Sequence, residues 1–276
     1  MRAELTSDAS AYRDLVFPFL QSDPVRNLII LTSVQELAGT PRSEREAAYF
    51  VSVHDGPDGV VTGAAMRAPG RLVYLGALRP AYAEIVADAF LEALPDAPGV
   101  AGDRAVAARF ADRWCARRGC RATEVRAARL HKLDTLTPLP ADGVPRLMTA
   151  ADVELVAAWG ADGFAQEIGG NYLDWSRLHL REQRLWLWTV DREPVSMVAH
   201  HLPVFGVCRI GPVYTPPEHR RHGYAGALTS RVSAEILAAG NQACLYTNLA
   251  DPTSNKIYQH AGYRPVADFV EVEFSA

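Results

Sequence analysis

The stretch V-Y-T-P-P-E-H-R-R-H-G-Y-A-G-A, Val213 to Ala227, decides how this chain reads. An apolar, strand-like run, Cys208 to Thr215, leads into it and breaks at Pro216-Pro217. A basic cluster, Arg220, Arg221 and His222, precedes the small residues Gly223, Ala225 and Gly226. Leu228, Val232 and Ile236 then recur every four residues, which predicts a helix. Strand, tight small-residue turn and helix together make a phosphate cradle. The first helical turn has backbone N–H groups without an intrahelical partner, and the macrodipole adds partial positive charge there. Gly223 permits a positive φ, and Ala225 and Gly226 leave room for a phosphate to approach the backbone. Small residues before a helix more often mark a plain turn, and the spacing is neither G-x-G-x-x-G nor a P-loop.

A second pattern lies downstream. Ala243 to Thr247 reads as a strand, followed by N-L-A-D-P-T-S-N-K-I-Y-Q-H-A-G-Y. Asp251 is placed to cap a helix with Pro252 at its first position, and Gly262 to end it. Asn255, Tyr258 and Gln259 share one face of that helix, and Ile257 and Ala261 share another that packs on a sheet.

The R-x-x-G-x-A spacing of Arg220 to Ala225, followed in order by Asn255-x-x-Tyr258, resembles the GCN5-related N-acetyltransferases (GNAT family). The likeness covers about residues 145 to 276. The C-terminal L-Y-T-N…P-T-S-N-K-I-Y-Q…G-Y-R-P-V is similar to a bacterial subgroup of two-domain predicted acetyltransferases, with Tyr263 where members often carry Phe. The fold class implied is α/β (α+β): tandem GNAT-like folds, each a mixed, mostly antiparallel twisted sheet flanked by helices.

The resemblance also implies acyl transfer from acetyl-CoA to a primary amine by direct attack. Backbone N–H groups around Arg221, His222, Gly223, Tyr224, Ala225 and Gly226 would take the pyrophosphate of coenzyme A, with the Arg220 and Arg221 side chains adding charge. Val213, Tyr214 and Thr215, on the strand ahead of the cradle, would polarise the thioester where a bulge and the prolines separate neighbouring parallel strands. The acyl-pantetheine would enter between Val213–Thr215 and Leu245–Thr247. Asn248 and Asn255 complete the cofactor-binding set, and Tyr258 would protonate the leaving thiolate. Glu167 is the first candidate for the base, with His200 and His201 behind it. The acceptor amine is not specified.

The 276 residues allow one large domain or two of ordinary size. A net charge of −4 argues against nucleic acid as a main partner, because phosphate binding needs a clustered basic excess. No run approaches a membrane-spanning length, and the first residues lack the apolar core of a signal peptide. The four cysteines, Cys115, Cys120, Cys208 and Cys244, form no C-x-x-C pair and no metal-like spacing with histidine. They read as thiols in a reducing, cytoplasmic setting, with no metal site.

Taken in order, residues 4 to 38 carry two helical patterns, with Asp8 as a cap for the first and Pro24 opening the second. Strands are expected at 47–54, 60–66 and 71–78, a helix at 81–94, a Pro/Gly loop, a helix at 105–118 ending on Gly119, and a strand at 124–133. The first half, 1–135, has no R-x-x-G-x-A after Leu78, and Asp103 to Val106 offers neither the Asn nor the Tyr. It reads as a degenerate GNAT-like domain or, alternatively, an unrelated α/β cap. Its expected role is to shape the acceptor pocket or to form a homodimer. Leu136 to Arg146 is the expected linker, and 147–276 the acyl-CoA-binding catalytic domain. There Thr149 caps a helix, Phe164 to Gly170 is a break, and a second helix spans 172–183. Strands at 185–190, 195–201 and 208–215 lead to the cradle.

Two other functions compete. A non-catalytic acyl-CoA-binding or interaction module would keep the cradle but has no need of Tyr258. A nucleotide-binding α/β protein would need an acidic residue about twenty positions beyond the glycines, where this chain has a helical pattern, Ala234 to Gly240.

Overall fold

Hydrophobic periodicity switches between strand and helix in the same order twice along the chain, and the elements follow it. A computed structural model describes residues 1–40, 47–56, 59–164 and 170–276. The first pass runs β1 (Arg2–Thr6), α1 (Ala9–Leu20), α2 (Leu28–Gly39), β2 (Tyr49–Asp55), β3 (Val60–Arg67), β4 (Val73–Leu75), α3 (Ala83–Ala93), β5 (Gly99–Asp103), α4 (Arg104–Arg118) and β6 (Arg121–Leu133). The second runs β7 (Val144–Leu147), α5 (Val153–Gly163), α6 (Tyr172–Arg181), β8 (Leu185–Val190), β9 (Glu193–His200), β10 (Val207–Tyr214), α7 (Tyr224–Ala238), β11 (Gln242–Asn248), α8 (Pro252–His260) and β12 (Tyr263–Ser275).

The chain divides into two compact units: Met1–Leu130 with Asn248–Ala250 and Val266–Ala276, and His131–Thr247 with Asp251–Pro265. In the first unit β1, β2, β3 and β4 are antiparallel neighbours and β4–β5 is parallel. β5 pairs antiparallel with the C-terminal segment of β12, Phe269 to Glu273. One sheet face buries Val51, Val53, Leu75 and Val100 against Phe90 of α3 and Phe110 and Trp114 of α4. Tyr12 of α1 stacks on Phe50 at 4.8 Å.

The second unit repeats the pattern, β7 to β10 antiparallel and β10–β11 parallel. One face packs Val198, Cys208, Ile210 and Leu245 against Leu228, Val232 and Ile236 of α7 and Tyr258 of α8. The other packs Leu187, Met197 and Ala199 against Val156 and Trp159 of α5. Full burial of side chains of this size is worth about 1.5–3 kcal/mol each.

Several elements differ from the sequence reading. Arg2–Thr6 is a strand, fixed by pairing with β2 that no local pattern announces. α2 begins at Leu28 behind Asn27 and not at Pro24. Gly99–Asp103, read as loop, is a strand because glycine permits a close approach: a Cβ on Gly99 would run into the Val272 carbonyl oxygen. β12 was not foreseen, and its last residues belong with the first unit.

The boundaries shift accordingly. Residues 136–146 are not an open linker but a strap on the second unit. Thr137 N–H donates to the Ala261 carbonyl and Leu139 N–H to Ser230 Oγ, and Trp188 Nε1 donates to the Asp142 carbonyl. Val144 already starts β7. Buried backbone donors need partners, and helix ends and hydroxyls supply them here.

The start of α5 is held by a capping box, Thr149 with Asp152. Both Arg146 guanidinium nitrogens bond the Asp152 carboxylate at 2.7 Å, and Thr149 donates to it from backbone and hydroxyl. The Arg146 bonds, more than burial opposes, lower the Asp152 pKa to about 2. A carboxyl depressed on folding stabilises above its unfolded pKa near 4, and that stability is lost as pH falls toward 2. Asp152→Asn is expected to cost up to about 2 kcal/mol in urea unfolding at pH 7. The gap from wild type should narrow from about pH 4 and close as the pH falls through about 2; a gap independent of pH would count against this account.

Candidate functional site

The parallel β10–β11 ladder runs from Val207↔Gln242 to Ile210↔Leu245 and ends there. On its other edge, β10 pairs Ile210 with His200 but Val213 with Val198, a shift of one residue. The extra residue is a β-bulge, which bends a strand and increases its twist. Gly211, at φ 142, and the cis bond to Pro212 lie within it. The bulge also reverses which side chains face which way. Ile210 and Val213 pack toward α7, whereas Tyr214 packs toward α5; regular alternation would have put Ile210 and Tyr214 on one face.

Past β10, a 3-10 turn, Pro217–His219, leads to Arg221 at φ 70 and Gly223 at φ 84, where α7 begins. Gly223 gives no side-chain cap, and among the described residues no side-chain oxygen caps the first-turn N–H groups. A Cβ on Gly223 would sit 3.3 Å from the Pro140 carbonyl oxygen, and one on Gly226 would sit 2.9 Å from Leu139 Cδ1. Backbone conformation at the first and close packing at the second both demand small residues.

Arg221 and His222 are exposed at this turn. The His222 ring stacks on Tyr224 at 5.3 Å, and its Nδ1 is 3.2 Å from the His219 carbonyl, so Nδ1 carries the proton. Arg220 Nε donates to the Thr215 carbonyl at 2.9 Å. That bond ties Arg220 back to the strand end, where the sequence suggested a side chain given over to an anion. Ser196 Oγ reaches both the Tyr214 carbonyl, at 3.0 Å, and Thr215 Oγ1, at 2.8 Å.

α8 is aimed by its cap: Asp251 accepts from the N–H groups of Thr253 and Ser254. Tyr258 is buried, and burial pushes its pKa up to about 12, so the phenol is a proton donor at neutral pH. Asn255 is buried too and holds a network. Its Oδ1 accepts from Thr247 Oγ1 at 2.8 Å, its Nδ2 donates to the Asp251 carbonyl, and His131 Nε2 lies 3.3 Å from Oδ1 and 3.2 Å from Thr247 Oγ1. Because the Thr247 proton goes to Asn255, Nε2 of His131 carries its own. His131 was missed in the sequence because its partners lie more than a hundred residues away.

Not every expected residue gathers here. Asn248 lies in the segment Asn248–Ala250 of the first unit, and its Oδ1 accepts from the Ala250 N–H, closing a turn. Glu167 lies outside the described residues. His200 faces Ile210 in the ladder, three residues of β9 from Met197, the partner of Tyr214. That is about 10 Å at strand rise. Burial lowers the pKa of His200, and that of His201 to about 3, so both are neutral and weakly basic.

Residues 189–271, which hold the bulge, the cradle and α8, match the family model described as "FR47-like protein". Solved structures with the same architecture include a GCN5-related N-acetyltransferase from Sphaerobacter thermophilus: 17% identity, 99% of this chain and 96% of that one, TM-score 0.65. A GNAT-family acetyltransferase from Colwellia psychrerythraea covers 100% of both chains at 11% identity and TM-score 0.62. The chain shares the fold of these GNAT structures. A tandem GNAT protein from the clavulanic acid biosynthesis pathway is also similar, at 14% identity, 99% and 98% coverage and TM-score 0.55. At these identities the likeness is one of fold. No curated protein matches the sequence.

The first unit repeats the arrangement of strand, cap and helix without these side chains. Asp103 caps α4 as Asp251 caps α8. Counted from those caps, Ala107 stands where α8 has Asn255, and Phe110 where it has Tyr258. Phe110 is fully buried and stacks on Trp114 at 5.6 Å. α3 follows a 3-10 turn, Pro80–Tyr82, with no glycine at its start.

Asn255→Ala would strip the acceptor from two buried donors, Thr247 and His131. A loss of about 1–3 kcal/mol in urea unfolding is expected. A loss under about 0.5 kcal/mol, the size of a neutral surface change, would show that the network does not hold α8.

Proposed function

We propose that this protein is an acyl-CoA-dependent N-acyltransferase, moving an acetyl group from acetyl-CoA to a primary amine. The observation that carries the reading is the end of the β10–β11 ladder at Ile210 and Leu245, beside a helix start left uncapped at Gly223. An anion at that helix end and an extended arm between the separated strands would use both features at once.

The residues fit such a cofactor. The positive φ at Gly223 disfavours any side chain, and a Cβ on Gly226 would press on Leu139, which suits a backbone that must approach a pyrophosphate. N–H groups at Tyr224 to Gly226 would hold it, with Arg221 and His222 at the rim. When bound, the cofactor supplies an acyl thioester whose carbonyl an amine can attack. Val213 to Thr215 would orient that carbonyl, with Ser196 fixing the strand end through Tyr214 and Thr215. Tyr258, kept protonated by burial, would give its proton to the departing sulfur.

Calorimetric titration with acetyl-CoA tests the reading. Micromolar binding that Gly223→Glu abolishes is expected, since the variant brings both a side chain and a negative charge to the cradle. Tyr258→Phe should bind normally but lose about 10²–10⁴-fold in turnover. Binding with full turnover in Tyr258→Phe would remove the acid. Binding without any turnover in wild type would favour a non-catalytic acyl-CoA module.

A further inference from the structure

We propose that Asp162 is the general base of this site, held in place by Tyr214, so that the acceptor reaches the thioester from the α5 face of the sheet. The inference rests on the acyltransferase reading above.

The geometry starts at the bulge. The cradle and Tyr258 belong to the α7–α8 side, so a cofactor held there leaves the opposite face of the separated strands for the second reactant. The one-residue shift between Ile210 and Val213 turns Tyr214 toward that opposite face. Its ring packs against Trp159, 6.0 Å away, and Phe164, 6.2 Å away, and lies where any side chain on Gly163 would collide with it. Three contacts therefore fix the phenol. Its hydroxyl donates to Asp162 Oδ2. Tyr214 is 7% exposed, whereas Asp162, at the C-terminal end of α5, is exposed. A solvent-facing carboxylate is thus anchored through a buried phenol to the very residue whose backbone ends β10. Burial first, then the Asp162 bond, pushes the Tyr214 pKa up to about 12, so the hydroxyl remains the donor and Asp162 the acceptor. Glu218 and Arg220 bear on the same phenol with opposite charge.

The chemistry balances. A neutral amine attacks the thioester carbon and forms the C–N bond. Its nitrogen becomes acidic as that bond forms, and the surplus proton passes to the Asp162 carboxylate. The C–S bond breaks, and the thiolate takes the proton of Tyr258. Solvent then removes the proton from Asp162 and restores that of Tyr258. Tyr214 is a positioning residue: it does not exchange its proton but fixes the carboxylate.

The test uses the full chain and acetyl-CoA as donor, with putrescine, 2-phenylethylamine and water as acceptors. Asp162→Asn is expected to bind acetyl-CoA as wild type does in calorimetry and to lower kcat for every acceptor used by about 10²–10⁴-fold. Formate should restore some of the rate to Asp162→Ala, the signature of a missing base. Tyr214→Phe should lower kcat less, with KM for acetyl-CoA unchanged. Independently of turnover, Asp162→Asn should make a tyrosine titrate at lower pH by ultraviolet absorbance, since the carboxylate bond helps hold the Tyr214 proton. Wild-type turnover that Asp162→Asn leaves intact would overturn the proposal, as would acetyl-CoA binding by wild type with no thioester cleavage by any acceptor. Failure to bind acetyl-CoA at all would instead strike down the acyltransferase reading, and this proposal with it.

Discussion

One extra residue in β10 governs the second unit. Without the shift between Ile210 and Val213, the strand would continue its pleat and its parallel partner could follow it to the end. Hydrogen-bond ladders tolerate an insertion only by bending, and the bend falls where the β10–β11 pairing stops. Two consequences follow from the same insertion. Pairing with the neighbouring parallel strand ends at Ile210 and Leu245, and the side chains beyond the shift change faces. Val213 stays with the α7 core and Tyr214 joins the α5 core. The end of the parallel pairing and the turning of Tyr214 therefore fall at the same insertion.

The surroundings hold the two strand ends from several directions. Ser196 on β9 fastens the strand end through the Tyr214 carbonyl and the Thr215 hydroxyl, and Arg220 fastens it from the turn beyond. On the other strand, Thr247 is bound into the Asn255–His131 network, which fixes α8 at its first turn. The strap from Thr137 to Asp142 lies on α7, with Leu139 against Gly226 and the Pro140 carbonyl beside Gly223. Such bonds restrict both strand ends, and preorganisation of that kind is what the proposed acyl transfer would call for.

Much of this was legible in the sequence, and the reasons are local. The cap at Asp251, the proline at Pro252, the positive-φ glycines Gly223 and Gly262, and the capping role of Thr149 each depend on a few adjacent residues. The bulge was expected from the family resemblance alone, at Val213 and Tyr214, and the register shift falls between Ile210 and Val213. What escaped notice depends on distant partners. Asp162 meets Tyr214 across 52 positions, and His131 meets Asn255 across 124. β1, β5 and β12 exist because each found an edge to pair with. Arg220 and Asn255 were recognised as residue types, but their bonds to Thr215 and Thr247 were not, because a motif names a position and not the bonds made there.

The first unit separates what the fold requires from what a site would require. It has its own parallel pair, β4–β5, its own capping aspartate, Asp103, and its own helix-ending glycine, Gly119. Those features recur because strand pairing and helix ends need them whatever the unit does. Asn255 and Tyr258 do not recur. Ala107 and Phe110 replace them, and Phe110 fills its place inside a stack of aromatic rings that runs from Phe90 to Phe274. A phenol costs more to bury than a phenyl ring, because its hydroxyl needs a partner in the core. The second unit bears that cost at Tyr258 and the first does not. A buried hydroxyl that the first unit dispenses with is retained in the second, and the proposed acyl transfer gives it a use.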